Sequence, residues 1–135
     1  MTDATKPVLR FTLLCDDVRQ ELGGKISIMG LFENLYAQKF PALHPRMAMI
    51  TEWGEGSGEY EVKTLLRSPD RAQVLRETSS KLKLAGPKSR HRDVAVHLNV
   101  EFKTPGTYWI EYYLGAELVG SVPLNVIQLK EQTTH

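Results

Sequence analysis

Cys15-Asp16-Asp17-Val18-Arg19 sets a thiol, two carboxylates and a guanidinium on neighbouring positions. A nucleophilic cysteine needs a cation or a histidine to hold its thiolate. Adjacent aspartates act in the opposite sense, since their charge disfavours a second anion. Cys15 also alternates with Phe11 and Leu13 on one apolar face, so it is expected to be a buried structural cysteine. Asp16 and Asp17 are expected to shape the loop by bonding backbone N–H groups and by a salt bridge to Arg19 or Lys25. The sharper alternative is a metal-dependent hydrolase centred on Asp16 and Asp17. Calcium takes about six to eight oxygens, so Asp70 and Asp93 would have to meet them at one end of the fold, and no EF-hand spacing is present.

The histidines are His44, His91, His97 and His135. Zinc ligands usually come as closely spaced pairs. His91 and His97 share a face of one extended segment but stand roughly 20 Å apart along it, so they are expected to be solvated rather than chelating. The glycine-rich stretch Gly54-Glu55-Gly56-Ser57-Gly58 carries acidic neighbours that repel phosphate, and no serine sits in a nucleophile elbow. The sequence therefore predicts no catalytic set, no metal and no cofactor.

Two features suit binding. Lys81, Lys83, Lys88, Arg90 and Arg92, with His91, form a local basic stretch that could hold an anion. Its plainer role is protective, because lysine on an edge strand discourages edge-to-edge pairing. Trp109 and Tyr113 fall on the face opposite Tyr108, Ile110 and Tyr112, and Trp53 is the other tryptophan. Outward aromatics can stack on a sugar ring, form a protein interface, or be covered by a loop such as Lys25–Ala37.

The elements that must position these residues are strands. Val94, Val96, Leu98, Val100 and Phe102 alternate with polar partners over Asp93–Lys103, which no helix template fits. Thr104-Pro105-Gly106 ends that strand. Thr107–Leu114 and Glu117–Leu129 follow as a hairpin about Gly115-Ala116. Pro123 lies within the return strand, which is expected at an edge or bulged there. Arg46–Trp53, Glu59–Arg67 and Gln73–Leu84 are further strands, with Ser68-Pro69-Asp70-Arg71 a β-turn. Leu9, Phe11, Leu13 and Cys15 share a face of the first strand. Lys25–Leu35 is a second one, shifted in register near Met29-Gly30. Only Asp16–Leu22 could hold a helical turn. The expected fold is an all-β, two-sheet antiparallel β-sandwich of about eight strands.

Phe11-Thr12-Leu13-Leu14-Cys15-Asp16-Asp17-Val18-Arg19, then Gly24-Lys25-Ile26-Ser27-Ile28-Met29-Gly30, and later Pro105-Gly106-Thr107-Tyr108 and Pro123-Leu124-Asn125-Val126, resemble a bacterial family of small all-β proteins of unknown function. The resemblance runs from about Phe11 to Val126, implies a fold and supplies no catalytic residue. Tyr108 is also similar in position to the tyrosine corner of immunoglobulin-like sandwiches, where a hydroxyl bonds back to a nearby turn.

At 135 residues, with 17 Lys and Arg against 16 Asp and Glu, the chain has the size of one domain and a net charge of +1. That balance gives no reason to expect specific nucleic-acid binding. A single domain over 7–129 with flexible tails at 1–6 and 130–135 is expected. The polar start, the short apolar runs and the lone cysteine point to a soluble cytoplasmic protein without a membrane span. The function expected first is a non-catalytic binding or interaction module that self-associates or meets a protein partner. The alternative is a carbohydrate- or small-ligand-binding domain using exposed aromatics.

Overall fold

The computed structural model describes residues 5–130, so most of the two expected tails, and His135, lie outside the described residues. The described chain is all-β. Its strands are β1 (Val8–Cys15), β2 (Asp17–Gln20), β3 (Ile26–Met29), β4 (Asn34–Ala37), β5 (Ala42–Gly54), β6 (Gly58–Arg67), β7 (Val74–Leu84), β8 (Arg90–Phe102), β9 (Gly106–Leu114) and β10 (Glu117–Gln128). They form a three-stranded sheet β1-β5-β8, a five-stranded sheet β4-β10-β9-β6-β7 and a two-stranded ribbon β2-β3. The expectation of eight strands in two sheets is corrected to ten strands in three sheets. The expected helical turn at Asp16–Leu22 is strand β2, paired with β3 from Asp17↔Met29 to Gln20↔Ile26.

The main core fills the space between the two larger sheets. Met47, Met49, Trp53, Val100 and Phe102 from one side meet Val62, Leu66, Tyr108, Ile110, Tyr112 and Leu124 from the other. Each such large side chain is worth about 1.5–3 kcal/mol on burial. Aromatic edges knit the layers: Phe102 meets Tyr108 at 4.9 Å and Trp53 meets Tyr112 at 6.1 Å, both nearly perpendicular. A second, smaller core of Cys15, Ala48 and Ile50 lies on the other face of the three-stranded sheet, beneath Val18 and Ile26 of the ribbon.

Strand faces change where the backbone is irregular. A register shift in β1 between Leu9 and Phe11 sends Leu9 to the main core while Phe11, Leu13 and Cys15 serve the smaller one. The expectation that Val94, Val96 and Leu98 share an inward face with Val100 and Phe102 fails. The first three are exposed and the last two are buried. Asn99 takes φ 53°, a left-handed conformation that asparagine tolerates. The register of Leu98↔Arg46 and Val100↔His44 sets Asn99 opposite Pro45, which has no N–H to give the ladder. Both strands exchange faces there, so Met47 and Met49 point to the core while Arg46 does not.

The hairpin of β9 and β10 turns at Gly115, whose φ of 59° suits the first position of a type II′ turn. β10 is interior by strand order. Its parallel partner β4 covers only Asn125–Gln128, which leaves Pro123 beyond β4's reach with no ladder bond to break. β7 ends the five-stranded sheet and carries Lys81 and Lys83 as exposed residues. Among the described residues no helix is long and apolar enough to cross a membrane.

Candidate functional site

The residues singled out for chemistry in the opening motif separate at the end of β1. Cys15 is fully buried, 3.8 Å from the carbonyl of Ala48. Burial first, and then the charge of Asp16, push its thiol pKa up. The Asp16 carboxylate turns toward His44, 3.5 Å from its Nε2. Asp17 turns the other way: it accepts from the Val18 N–H at 2.9 Å and pairs with Arg46 at 3.0 Å, not with Arg19 or Lys25. Asp70 bonds Ser68 and the Ala72 N–H within its own turn, and Asp93 bonds His91 and Ser80. The four aspartates thus serve four separate sets of partners. No group of three or more metal-ligating side chains gathers among the described residues.

The side of the motif that faces Asp16 opens a cleft of about 390 Å³. Its construction follows from local backbone chemistry. The Asp16 N–H donates to the carbonyls of Met29 and Gly30, and the Phe32 N–H donates to Leu14, so the chain after β3 folds back over β1. Gly30 turns at φ 69° with the Asp16 carboxylate lying against it. Phe32 packs edge-on to His44 at 5.6 Å, and His44 Nε2 is buried without a hydrogen-bond partner among the described residues. Strand β4 forms one wall and the start of β5 the other. Leu31, Tyr36 and Leu43 stand 61%, 58% and 59% exposed around it. A cleft that sets apolar side chains beside the polar groups of Asp16, Asn34, Tyr36 and His44 has the general character of a binding site. Sequence reasoning missed this set: the side chains lie on three elements, and their only local signal was the apolar excess over Lys25–Ala37.

The expected aromatic platform is built differently. Trp53 is 0% exposed and belongs to the main core, because it lies on the inward face of β5 with Met47 and Met49. Trp109 and Tyr113 do lie on the outer face of the five-stranded sheet, yet both are occupied. The Arg71 guanidinium sits 4.2 Å above the Trp109 ring, a cation–π contact. The Tyr113 hydroxyl donates to Glu111 Oε1 at 3.0 Å. Glu111, between them on β9, is 4% exposed. It accepts from Arg67 Nε and, at 2.7 Å, from Arg71 Nη1. Burial alone would raise its pKa, but bonds from Arg67, Tyr113 and Arg71 outweigh burial and hold the carboxyl below its ordinary value. The cover over the aromatics comes from the Ser68–Arg71 turn, closed by Arg71 N–H to Ser68 at 2.8 Å, not from Lys25–Ala37.

The basic stretch is divided between two sheets. Lys81 and Lys83 on β7 stand opposite Glu61 and Glu59, with Lys83 3.7 Å from Glu59. Arg90 and Arg92 begin β8, and Arg92 pairs with the buried Glu52 at 3.1 Å. Lys88 lies in the connection between those strands. The expectation of solvated histidines is corrected for His97, which is 7% exposed; burial, and next the charge of Arg76, lower its pKa. His91 is half-buried and 2.9 Å from Asp93.

No curated protein matches the sequence. A family model matches residues 10–127, a span that contains the opening motif, the cleft and nearly all of the two larger sheets. The chain belongs to the Family of unknown function (DUF6941).

Proposed function

We propose that the chain is a non-catalytic interaction module that takes an extended apolar segment of a protein partner along β4. One observation carries this reading: Leu31, Tyr36 and Leu43 are more than half exposed around a cleft whose wall is an edge strand. β4 pairs with β10 on one side and ends its sheet on the other. Its outer backbone groups can bond an added strand, while the cleft takes a side chain from it, the usual division between affinity and specificity in strand addition. A second copy of the chain is the first partner to test. The non-catalytic part of the reading draws support from the sealed thiol of Cys15 and from the divergence of Asp16 and Asp17. Kinship with the immunoglobulin-like sandwich draws support from Tyr108, whose hydroxyl donates to the Thr104 carbonyl at 2.7 Å. The lone buried Cys15 suits a reducing, cytoplasmic setting.

Selection of displayed random peptides on the immobilised protein tests the reading. Enriched peptides should alternate apolar residues, shift the amide signals of β4, and lose binding to Tyr36→Asp and Leu43→Asp. Failure to enrich, or binding indifferent to both substitutions, removes the proposal. Sedimentation over a range of concentrations tests the second copy as partner, and a monomer at every concentration removes that part.

A further inference from the structure

The two ends of the five-stranded sheet differ in chemistry. β7 carries exposed Glu77, Lys81 and Lys83, charges that discourage a second chain from pairing there. In the other sheet, Arg76 occupies the outer edge of β8 at the carbonyls of Leu98 and Asn99. β4 reads Asn34-Leu35-Tyr36-Ala37, with no charge and no proline. The nearest charges lie just outside it, Glu33 before and Lys39 after. Both are exposed, and neither is in an ion pair among the described residues.

Backbone bonds fix which groups of β4 are turned outward. The Asn125 N–H donates to the Glu33 carbonyl at 3.4 Å, and the Leu129 N–H donates to the Ala37 carbonyl at 2.9 Å. Backbone groups alternate in direction along a strand. Those of Glu33, Leu35 and Ala37 therefore turn to β10, and those of Asn34 and Tyr36 turn away from it.

Resting on the reading of β4 as a docking edge, we propose that its partner is a second copy of the chain. The two β4 strands run antiparallel about a two-fold axis at Tyr36 and join two five-stranded sheets into one. Charge selects this partner and this register. With Tyr36 opposite its own copy, Leu35 faces Ala37 and Glu33 faces Lys39, each twice per dimer. Centring on Leu35 would set Lys39 against Leu31 and Glu33 against Ala37. Centring on Ala37 would set Glu33 against Pro41 and Lys39 against Leu35. Of the three, only the Tyr36 register meets each charge with its opposite. It also sets the outward N–H and carbonyl of Tyr36 against the same groups of its copy, as a hydrogen-bonded antiparallel pair requires. Tyr36 stands beside Ile127 of β10, and they are 58% and 38% exposed. The joint therefore brings four apolar side chains into one row across the axis. A four-residue strand gives a small interface, below about 1,200 Å², so the dimer is of the reversible, transient class.

Sedimentation of the full-length protein at concentrations up to about 1 mM, the weak end of specific association, should show a monomer–dimer equilibrium. Glu33→Lys and Lys39→Glu should each weaken it about tenfold, because each sets like charges face to face twice per dimer. The doubly substituted chain, which exchanges the two charges, should recover most of the association. Amide hydrogen exchange at Tyr36 should slow as concentration rises. A monomer throughout the range overturns the proposal. So does a dimer that the single substitutions leave unchanged, or a double variant no stronger than the singles. The docking-edge reading is judged separately: it stands if selected peptides shift the β4 signals of a monomeric chain, and falls if they do not.

Discussion

The guanidinium of Arg76 donates to the backbone carbonyl of Asn99 at 3.0 Å and to that of Leu98 at 3.2 Å, clasping β8 at the rung where its faces exchange. A left-handed asparagine opposite a proline leaves these carbonyls without a regular ladder, and one side chain from the other sheet satisfies both. Arg76→Leu should therefore lower unfolding stability by about 1 kcal/mol, measured by urea titration, and should increase hydrogen exchange at Leu98–Val100.

His97 gives the same region a pH dependence. Its folded pKa lies below the ordinary 6.5 because burial, and then Arg76, disfavour the imidazolium. The unfolded chain then binds a proton that the folded chain refuses. The associated stability is complete above about pH 6.5 and declines as pH falls from there. His97→Gln should flatten that decline. Arg76→Leu should move the imidazole NMR titration of His97 upward.

Glu111 is held below the ordinary carboxylate value by Arg67, Tyr113 and Arg71 against the opposing effect of burial. Stability from this network is present above the unfolded value, about 4.3, and is lost as pH falls through the folded one. Glu111→Gln should cost about 2 kcal/mol, less than a fully buried pair because both arginines are partly exposed. Trp109 fluorescence should change in the same variant, since Arg71 is tied both to the carboxylate and over the indole.

Cys15 should react with a disulfide reagent only as fast as the protein opens. Its thiol is sealed under the ribbon and its pKa is raised, so the thiolate fraction is small. Modification should be slow in buffer and fast in urea. Cys15→Ala should cost about 1–2 kcal/mol through lost packing, with Cys15→Ser worse because its hydroxyl would be buried beside a single distant acceptor.

Gly30→Ala should destabilise the fold by about 1 kcal/mol, since φ 69° is unfavourable to a side chain. Its added Cβ would meet the Asp16 carboxylate, so Asp16 must swing away. The NMR signals of His44 should shift as its acidic neighbour leaves.

Period-two alternation carried the all-β class and the β9–β10 hairpin, although the bulge between Leu118 and Gly120 turns Leu118 outward and Val119 onto the core. It misread Val94, Val96 and Leu98, because alternation has meaning only within an unbroken pleat. The signal of the break was present as Pro45 and Asn99, but their opposition is a property of strand pairing rather than of either segment. Trp53 shows the same limit, since an isolated tryptophan gives no sign of which face the pleat assigns it. The motif around Cys15 placed Asp16 at the cleft and could not announce Tyr36, which reaches it through β4's pairing with β10, or Leu43, which reaches it from the start of β5.

That pairing is parallel and joins positions 91 residues apart in the chain, as in the Asn125–Asn34 side-chain bond. During synthesis β4 leaves the ribosome early and must wait for nearly the last strand before it has a ladder. The wall of the cleft is accordingly the final piece of the fold to set, and a polypeptide released before β10 would present Tyr36 and Leu35 to any chaperone or protease that reaches them.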